Sequence, residues 1–184
     1  MDKKRSIREK YFLKRKRFFF DIKQAYFKPL IKIIKKKYNK RKTNISLYYP
    51  SNYEVNILKI LDIDFFKNFK FSLPIIKKNR EMQFCRWRKG DILQINKFGI
   101  PEPKIFKKIN PEVILVPLLA FDKNKNRIGY GKGFYDKYLS RFLKVNKKII
   151  TVGVAFSFQK YHKLPVNNYD RKLDFIITEK GLIK

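Results

Sequence analysis

The sequence predicts an α/β fold, an open and largely parallel sheet with helices on both faces in a Rossmann-like three-layer sandwich. Two apolar runs, Val113 to Val116 and Ile149 to Ala155, are continuous rather than alternating, the pattern of strands buried on both faces. Between them lie a polar turn from Asp122 to Arg127, a cluster of three glycines and a helix candidate from Phe134 to Phe142. Strand, turn, helix, strand is the order of a parallel βαβ unit, and Phe175 to Thr178 offers one more strand.

The remaining elements follow in chain order. Residues 3 to 27 read as an amphipathic helix, because Ile7, Tyr11, Phe18, Ile22 and Tyr26 recur at spacings of four and seven until Pro29 interrupts them. That apolar stripe can dock on the domain, or the basic amphipathic helix can lie on an anionic membrane surface through Phe18, Phe19 and Phe20. Ile45 to Tyr49 is a short β-prone run. Val55 to Phe66 is expected to be helical, with Val55, Leu58, Ile60 and Leu61 inward. Phe69 to Ile76 and Met82 to Trp87 are expected strands, and Phe98 to Pro103, broken by Gly99, Pro101 and Pro103, a loop. With neither repeat nor linker visible, residues 1 to 184 are expected to form one domain, with its basic helix at about 3 to 27.

Composition sets bounds on function. The 184 residues carry 46 Lys plus Arg against 15 Asp plus Glu, a formal charge of +31, while 44% hydrophobic content is too apolar for a disordered basic tail. The longest apolar runs fall short of the roughly 20 residues that span a bilayer, and no apolar secretion segment follows the charged N-terminus, so a cytoplasmic address is expected. Cys85 and His162 are the sole cysteine and histidine, which excludes an internal disulfide, a common Cys/His zinc cluster and a credible catalytic triad. Any metal is then a hard cation such as Mg²⁺. The charge has two readings. Lys and Arg neutralise phosphates, as in a basic RNA-binding module. Alternatively, the abundance of Lys, Ile, Asn, Phe and Tyr beside only three alanines points to a coding bias that raises lysine wherever a surface tolerates it. Residues 1 to 42 hold 18 of the 46 basic residues and 3 acids, a net +15, so an anion site near the N-terminus fits either reading.

The most informative segment is Arg127-Ile128-Gly129-Tyr130-Gly131-Lys132-Gly133-Phe134-Tyr135-Asp136. Glycines on alternate positions let a backbone aim several N–H groups at one anion, and the following helix presents its positive dipole end. Arg127 and Lys132 add fixed charge. The spacing is neither that of a P-loop nor that of a dinucleotide loop, so a phosphate cradle stands beside a plain connecting turn as its explanation. Asp136 falls in the first turn of the helix, where an acid either holds a divalent cation against phosphates or simply complements the helix dipole. Asp174 heads the last strand, as a second metal carboxylate or a strand-end charge.

At these residues the chain resembles the 5-formyltetrahydrofolate cyclo-ligase family. Val116 to Asp122 is similar to V-P-G-L-A-F-D and Arg127 to Asp136 to R-L-G-Y-G-G-G-Y-Y-D. In the expected order stand Lys4 to Arg8 (K-x-x-L-R), Tyr48 to Glu54 (a strand and turn ending in glutamate), Phe98 to Pro103 (F-G-I-x-E-P), and Leu164 to Val166 with Leu173-Asp174 (L-P-V and L-D).

The resemblance implies ATP-dependent conversion of 5-formyltetrahydrofolate to 5,10-methenyltetrahydrofolate, releasing ADP and phosphate and requiring Mg²⁺. It implies that Lys4 and Arg8 touch ATP phosphates and that Arg127, Ile128, Gly129, Tyr130, Gly131, Lys132, Gly133, Phe134 and Tyr135 wrap the nucleotide. The resemblance further implies that Tyr49, Glu54, Tyr130 and Phe134 contact the folate, that Asp136 and Asp174 bind magnesium, and that Arg127, Lys132 and Glu54 carry the catalytic burden. The expected partners are ATP and the folate, with no nucleic acid or membrane and a monomeric state. Two positions depart from the family: Leu118 replaces the glycine after V-P, and Phe134 the first tyrosine of G-Y-Y-D. They leave open a degenerate member that binds folate or nucleotide without turnover.

Overall fold

Alternation within the central strands sets the layers. The computed structural model describes residues 3–38, 43–145 and 148–184. In strand β6 (Val113–Pro117), Val113 and Leu115 enter one hydrophobic cluster and Ile114 and Val116 the other, as a period of two requires when both faces are covered. Helix α2 (Lys28–Tyr38) closes the first face through Leu30, Ile33 and Ile34, and helix α3 (Phe134–Val145) the second through Tyr138 and Leu139.

The main sheet also contains β1 (Asn44–Ser46), β2 (Lys70–Ile76), β3 (Met82–Trp87), β9 (Ile150–Val154), β10 (Phe175–Thr178) and β11 (Gly181–Ile183). Its order is β11-β10-β9-β6-β1-β2-β3, with the five inner strands parallel and both edge strands antiparallel. The expected βαβ unit is present: β6 pairs with β9 from Val113 opposite Ile150 to Pro117 opposite Val154, and α3 makes the crossover. Two small hairpins, β4 (Leu93–Ile95) with β5 (Pro101–Pro103) and β7 (Ala120–Phe121) with β8 (Arg127–Ile128), stand beside the sheet.

Four local expectations need correction. The first helix, α1, covers Lys3–Phe18 rather than 3 to 27; a 3₁₀ turn at Gln24–Phe27 follows the break, and Pro29 lies in the first turn of α2. Proline is tolerated there because its missing N–H would have no helical partner, so it begins a helix instead of only ending one. Val55 to Phe66 forms two 3₁₀ turns, Ile57–Asp62 and Asp64–Phe66, which bury Ile57, Ile60 and Phe66. Of the β-prone run Ile45 to Tyr49 only Ile45 and Ser46 lie in a strand, the three-residue β1. Phe98 to Pro103 is not wholly loop, since its last three residues pair with β4. No described helix is long and apolar enough to cross a membrane.

Candidate active site

β1 leads to β2 on one side and β6 leads to β9 on the other, so the strand order reverses between β1 and β6. In open α/β sheets the crevice outside the carboxyl ends of such strands is where ligands bind, because diverging connections leave it uncovered. A cleft of about 1580 Å³ opens there, lined by Tyr48, Tyr49 and Ser51 after β1, Pro74 and Ile76 from β2, and Pro117 at the end of β6. Single-ligand pockets run roughly 300 to 1,000 Å³, so this cleft exceeds their usual size.

The glycine turn forms one wall, lining the cleft from Arg127 through Asp136. Gly131 and Gly133 adopt φ of 88° and 70°, the left-handed region that side chains avoid. A Cβ on Gly131 would also stand 3.2 Å from the Arg8 guanidinium carbon. α1 delivers Lys4 and Arg8 to this wall: Arg8 Nε donates to the Gly129 carbonyl at 3.0 Å, and Lys4 pairs with Asp170. Arg127, 8% exposed, donates from Nη2 to Asp136 Oδ1 at 2.8 Å. Its Nε and the Tyr135 hydroxyl are buried without a hydrogen-bond partner among the described residues, two donors suited to a ligand with acceptor oxygens. Lys132 projects over Phe98 across the cleft, 5.9 Å from the ring centre.

Glu54 also lines the cleft, held by a self-closing turn. Ser51 N–H donates to Glu54 Oε2 at 2.9 Å while Glu54 N–H donates to the Ser51 carbonyl at 2.9 Å. Asn52 and Tyr53 between them take φ of 49° and 61°, so two non-glycine residues sit in the left-handed region. The Tyr130 hydroxyl donates to Glu54 Oε1 at 2.9 Å, linking this turn to the glycine wall. Burial raises the Glu54 carboxyl above its ordinary 4.5, opposed by the Arg15 charge and by hydrogen bonds from Ser51 and Tyr130.

A third wall is the β4–β5 turn, where Asn96, Phe98, Gly99 and Ile100 line the cleft. Asn96 Oδ1 accepts from the Phe98 and Ile100 N–H groups at 2.9 and 3.2 Å. Buried Glu102 accepts from Asn96 Nδ2 at 3.1 Å and Ile76 N–H at 3.2 Å, so the acid of the F-G-I-x-E-P segment shapes the turn rather than facing the cleft.

The model of the 5-formyltetrahydrofolate cyclo-ligase family matches residues 1–179. The chain belongs to that family. It is 32% identical over 142 residues to a 5-formyltetrahydrofolate cyclo-ligase of Haemophilus influenzae, covering 73% of this chain and 75% of that one. It is 30% identical over 162 residues to a probable 5-formyltetrahydrofolate cyclo-ligase of Schizosaccharomyces pombe, covering 79% of each. The solved 5,10-methenyltetrahydrofolate synthetase of Aquifex aeolicus superposes with a TM-score of 0.78 at 30% identity, over 98% of this chain and 92% of that one. A Mycoplasma pneumoniae synthetase, at 23% identity and a TM-score of 0.70 over 96% and 98%, shares the fold.

This cyclo-ligase family member resolves the two departures differently. Leu118 is 1% exposed; its side chain packs in the core with Val116, Leu173 and Ile176, and its Cδ2 lies 3.0 Å from where a Cβ on Gly153 would stand. It points away from the cleft, so its bulk does not obstruct the site. Phe134 lines the cleft, with its ring 5.4 Å from that of Phe98 in an edge-on contact.

The structure does not bring Asp136 and Asp174 to one point. Asp136 lines the cleft and also accepts from the Arg171 N–H at 3.1 Å. Asp174 precedes β10, and a parallel strand begins at the sheet edge opposite the carboxyl ends. Its Oδ2 accepts from Thr151 N–H and Oγ1, both at 2.8 Å, so it ties β10 to β9. Among the described residues no cluster of three or more His, Cys, Asp or Glu could hold a metal by itself. Sequence reasoning missed Arg15, which is 1% exposed and donates to the Tyr130 hydroxyl. The available signal was its place on the Ile7 and Tyr11 stripe.

Proposed function

We propose that this family member catalyses the ATP-dependent cyclisation of 5-formyltetrahydrofolate to 5,10-methenyltetrahydrofolate, releasing ADP and phosphate. One observation carries the reading: a large cleft at the strand-order reversal is lined both by a cationic glycine wall and by a hydrogen-bonded carboxylate, Glu54. The first suits a triphosphate and the second the N–H groups of a reduced pterin.

In this reading the formyl oxygen attacks the γ-phosphorus and ADP leaves. N10 then attacks the formyl carbon and loses its proton, and the phosphorylated oxygen departs as phosphate. The amide oxygen, a poor leaving group, is thereby converted to a good one. No covalent attachment to the protein is needed; the protein's work is positioning and charge stabilisation. Lys4, Arg8, Arg127 and Lys132 face the phosphates together with the amides of Gly129 to Gly133. Tyr49, Phe134 and Tyr130 flank the folate, and Glu54 accepts from its ring N–H groups or takes the proton leaving N10.

Mg²⁺ fits as an ion brought in with ATP, with Asp136 as its one protein carboxylate and phosphates and water completing its shell. When bound, it neutralises charge on the phosphate oxygens. Asp174, tied to Thr151, has no place in that shell. We further propose a single domain acting as a cytoplasmic monomer, its lysine-rich surface solvated rather than bound to nucleic acid.

The test is incubation of purified protein with ATP, Mg²⁺ and 5-formyltetrahydrofolate, followed through the ultraviolet absorbance of the methenyl product and through ADP release. Both should appear in equal amounts; the absence of both product and ATP consumption refutes the reading.

A further inference from the structure

Arg15 is a buried cation without a task in the reaction as described. α1 carries Ile7, Tyr11 and Arg15 at intervals of four, and this stripe is the face buried against the body of the protein. A guanidinium there is a poor choice for stability. An apolar side chain of similar volume avoids the desolvation of a charge, and Arg15 Nε is buried without a hydrogen-bond partner among the described residues.

Its other donors have a direction. Nη1 donates to the Leu118 carbonyl at 3.3 Å and Nη2 to the Tyr130 hydroxyl, with the guanidinium carbon 5.6 Å from the centre of the Tyr130 ring. Arginine has no acceptor, so a tyrosine oxygen that receives its N–H must turn its own hydrogen elsewhere. That hydrogen goes to Glu54 Oε1 at 2.9 Å. Tyr130 and Glu54 line the cleft, whereas Arg15 does not.

We infer that Arg15 is a positioning residue for the proposed cyclisation, fixing the Tyr130 hydroxyl as a donor to Glu54 and thereby holding the Glu54 carboxylate as an acceptor toward the folate. The inference rests on the function proposed above, but the relay itself can be read without turnover. Glu54 is faced by Arg15 from α1, Tyr130 from the glycine turn, Tyr48 from the segment after β1, and Tyr135 from α3, with Arg127 beside Tyr135. Burial keeps all three tyrosines protonated. The Arg15 charge is the principal force opposing the desolvation of Glu54. Without it the carboxyl gains a proton at higher pH and one of its oxygens becomes a donor.

The experiment uses Arg15→Met, with Arg15→Gln as a second neutral variant should the first not fold. The pH dependence of kcat/KM for 5-formyltetrahydrofolate is measured beside a titration of ligand-free protein carrying carboxyl-¹³C glutamate. The Glu54 resonance is identified by its loss in Glu54→Gln. The expected result is a Glu54 midpoint and an acid limb that both move to higher pH, with KM for the folate raised and KM for ATP little changed. A purely structural role lowers activity with the folded fraction and moves neither midpoint nor limb. A folded neutral variant with an unmoved Glu54 midpoint overturns the inference. A moved midpoint in a protein whose wild type makes no methenyl product removes the reaction and keeps the relay.

Discussion

Arg127 Nη2 donates to Asp136 Oδ1 at 2.8 Å across the glycine turn, so a cation suited to phosphate and a carboxylate suited to magnesium neutralise one another in the free protein. Side-chain exposures of 5% and 23% make this a sheltered pair, unlike the surface ion pair of Arg5 and Glu9 at 74% and 60%. On the function proposed above, a nucleotide carrying Mg²⁺ would bring both signs of charge and replace each partner.

Asp136→Ala therefore leaves Arg127 buried and unpaired. The expected loss is about 3 kcal/mol of stability, with kcat/KM for ATP down by roughly 100-fold or more. Urea unfolding and the absorbance assay read the two separately. Full activity at saturating Mg²⁺ would remove Asp136 from the metal assignment.

Leu118→Gly restores the residue that the family motif carries, yet the structure predicts harm. It empties a core position and frees the backbone, an expected loss of about 3 to 5 kcal/mol, with no gain in turnover. Chemical denaturation beside the turnover assay measures this; faster turnover without destabilisation would show that the side chain does obstruct the site.

Gly131→Ala and Gly133→Ala separate strain from crowding. Both force an L residue into the left-handed region, at about 1 to 2 kcal/mol each. Only the first also meets Arg8, since nothing lies within 4 Å of a Cβ on Gly133. KM for ATP should rise more for Gly131→Ala than for Gly133→Ala at similar thermal stability. Equal effects would mean that Arg8 does not act from its observed position.

Glu54 sets a pH dependence of stability. Its carboxyl is raised above the ordinary 4.5 on folding, so between that value and the folded one the native state binds more protons than the unfolded chain. Its contribution is greatest below about 4.5 and is lost as pH rises through the folded value. The unfolding free energy of the wild type minus that of Glu54→Gln should decline across that interval, since the Arg15 charge is constant. A difference that grows with pH would contradict the burial argument.

Some of this was legible in the residues alone. β3 and β10 have the expected bounds, and β6 and β9 come within one residue at each end; a strand buried on both faces, as β6 and β9 are, must be apolar throughout, and that pattern is local. The glycine turn was legible because clustered glycines permit the left-handed backbone that Gly131 and Gly133 adopt. Val55 to Phe66 was not, since its apolar spacing suits an α-helix and two 3₁₀ turns equally, and packing decides between them.

The chain's own pattern thus established a parallel α/β sheet, a glycine turn leading into α3, and a chain without a zinc cluster or disulfide. The folded arrangement decided which charges meet. It buried Arg15 behind Tyr130, turned Leu118 into the core, and carried Asp174 to the edge opposite Asp136. Backbone conformation depends on neighbours a few residues away, whereas the partner of a charge is chosen by how helices and strands distant in sequence pack together, as with Arg15 and Tyr130.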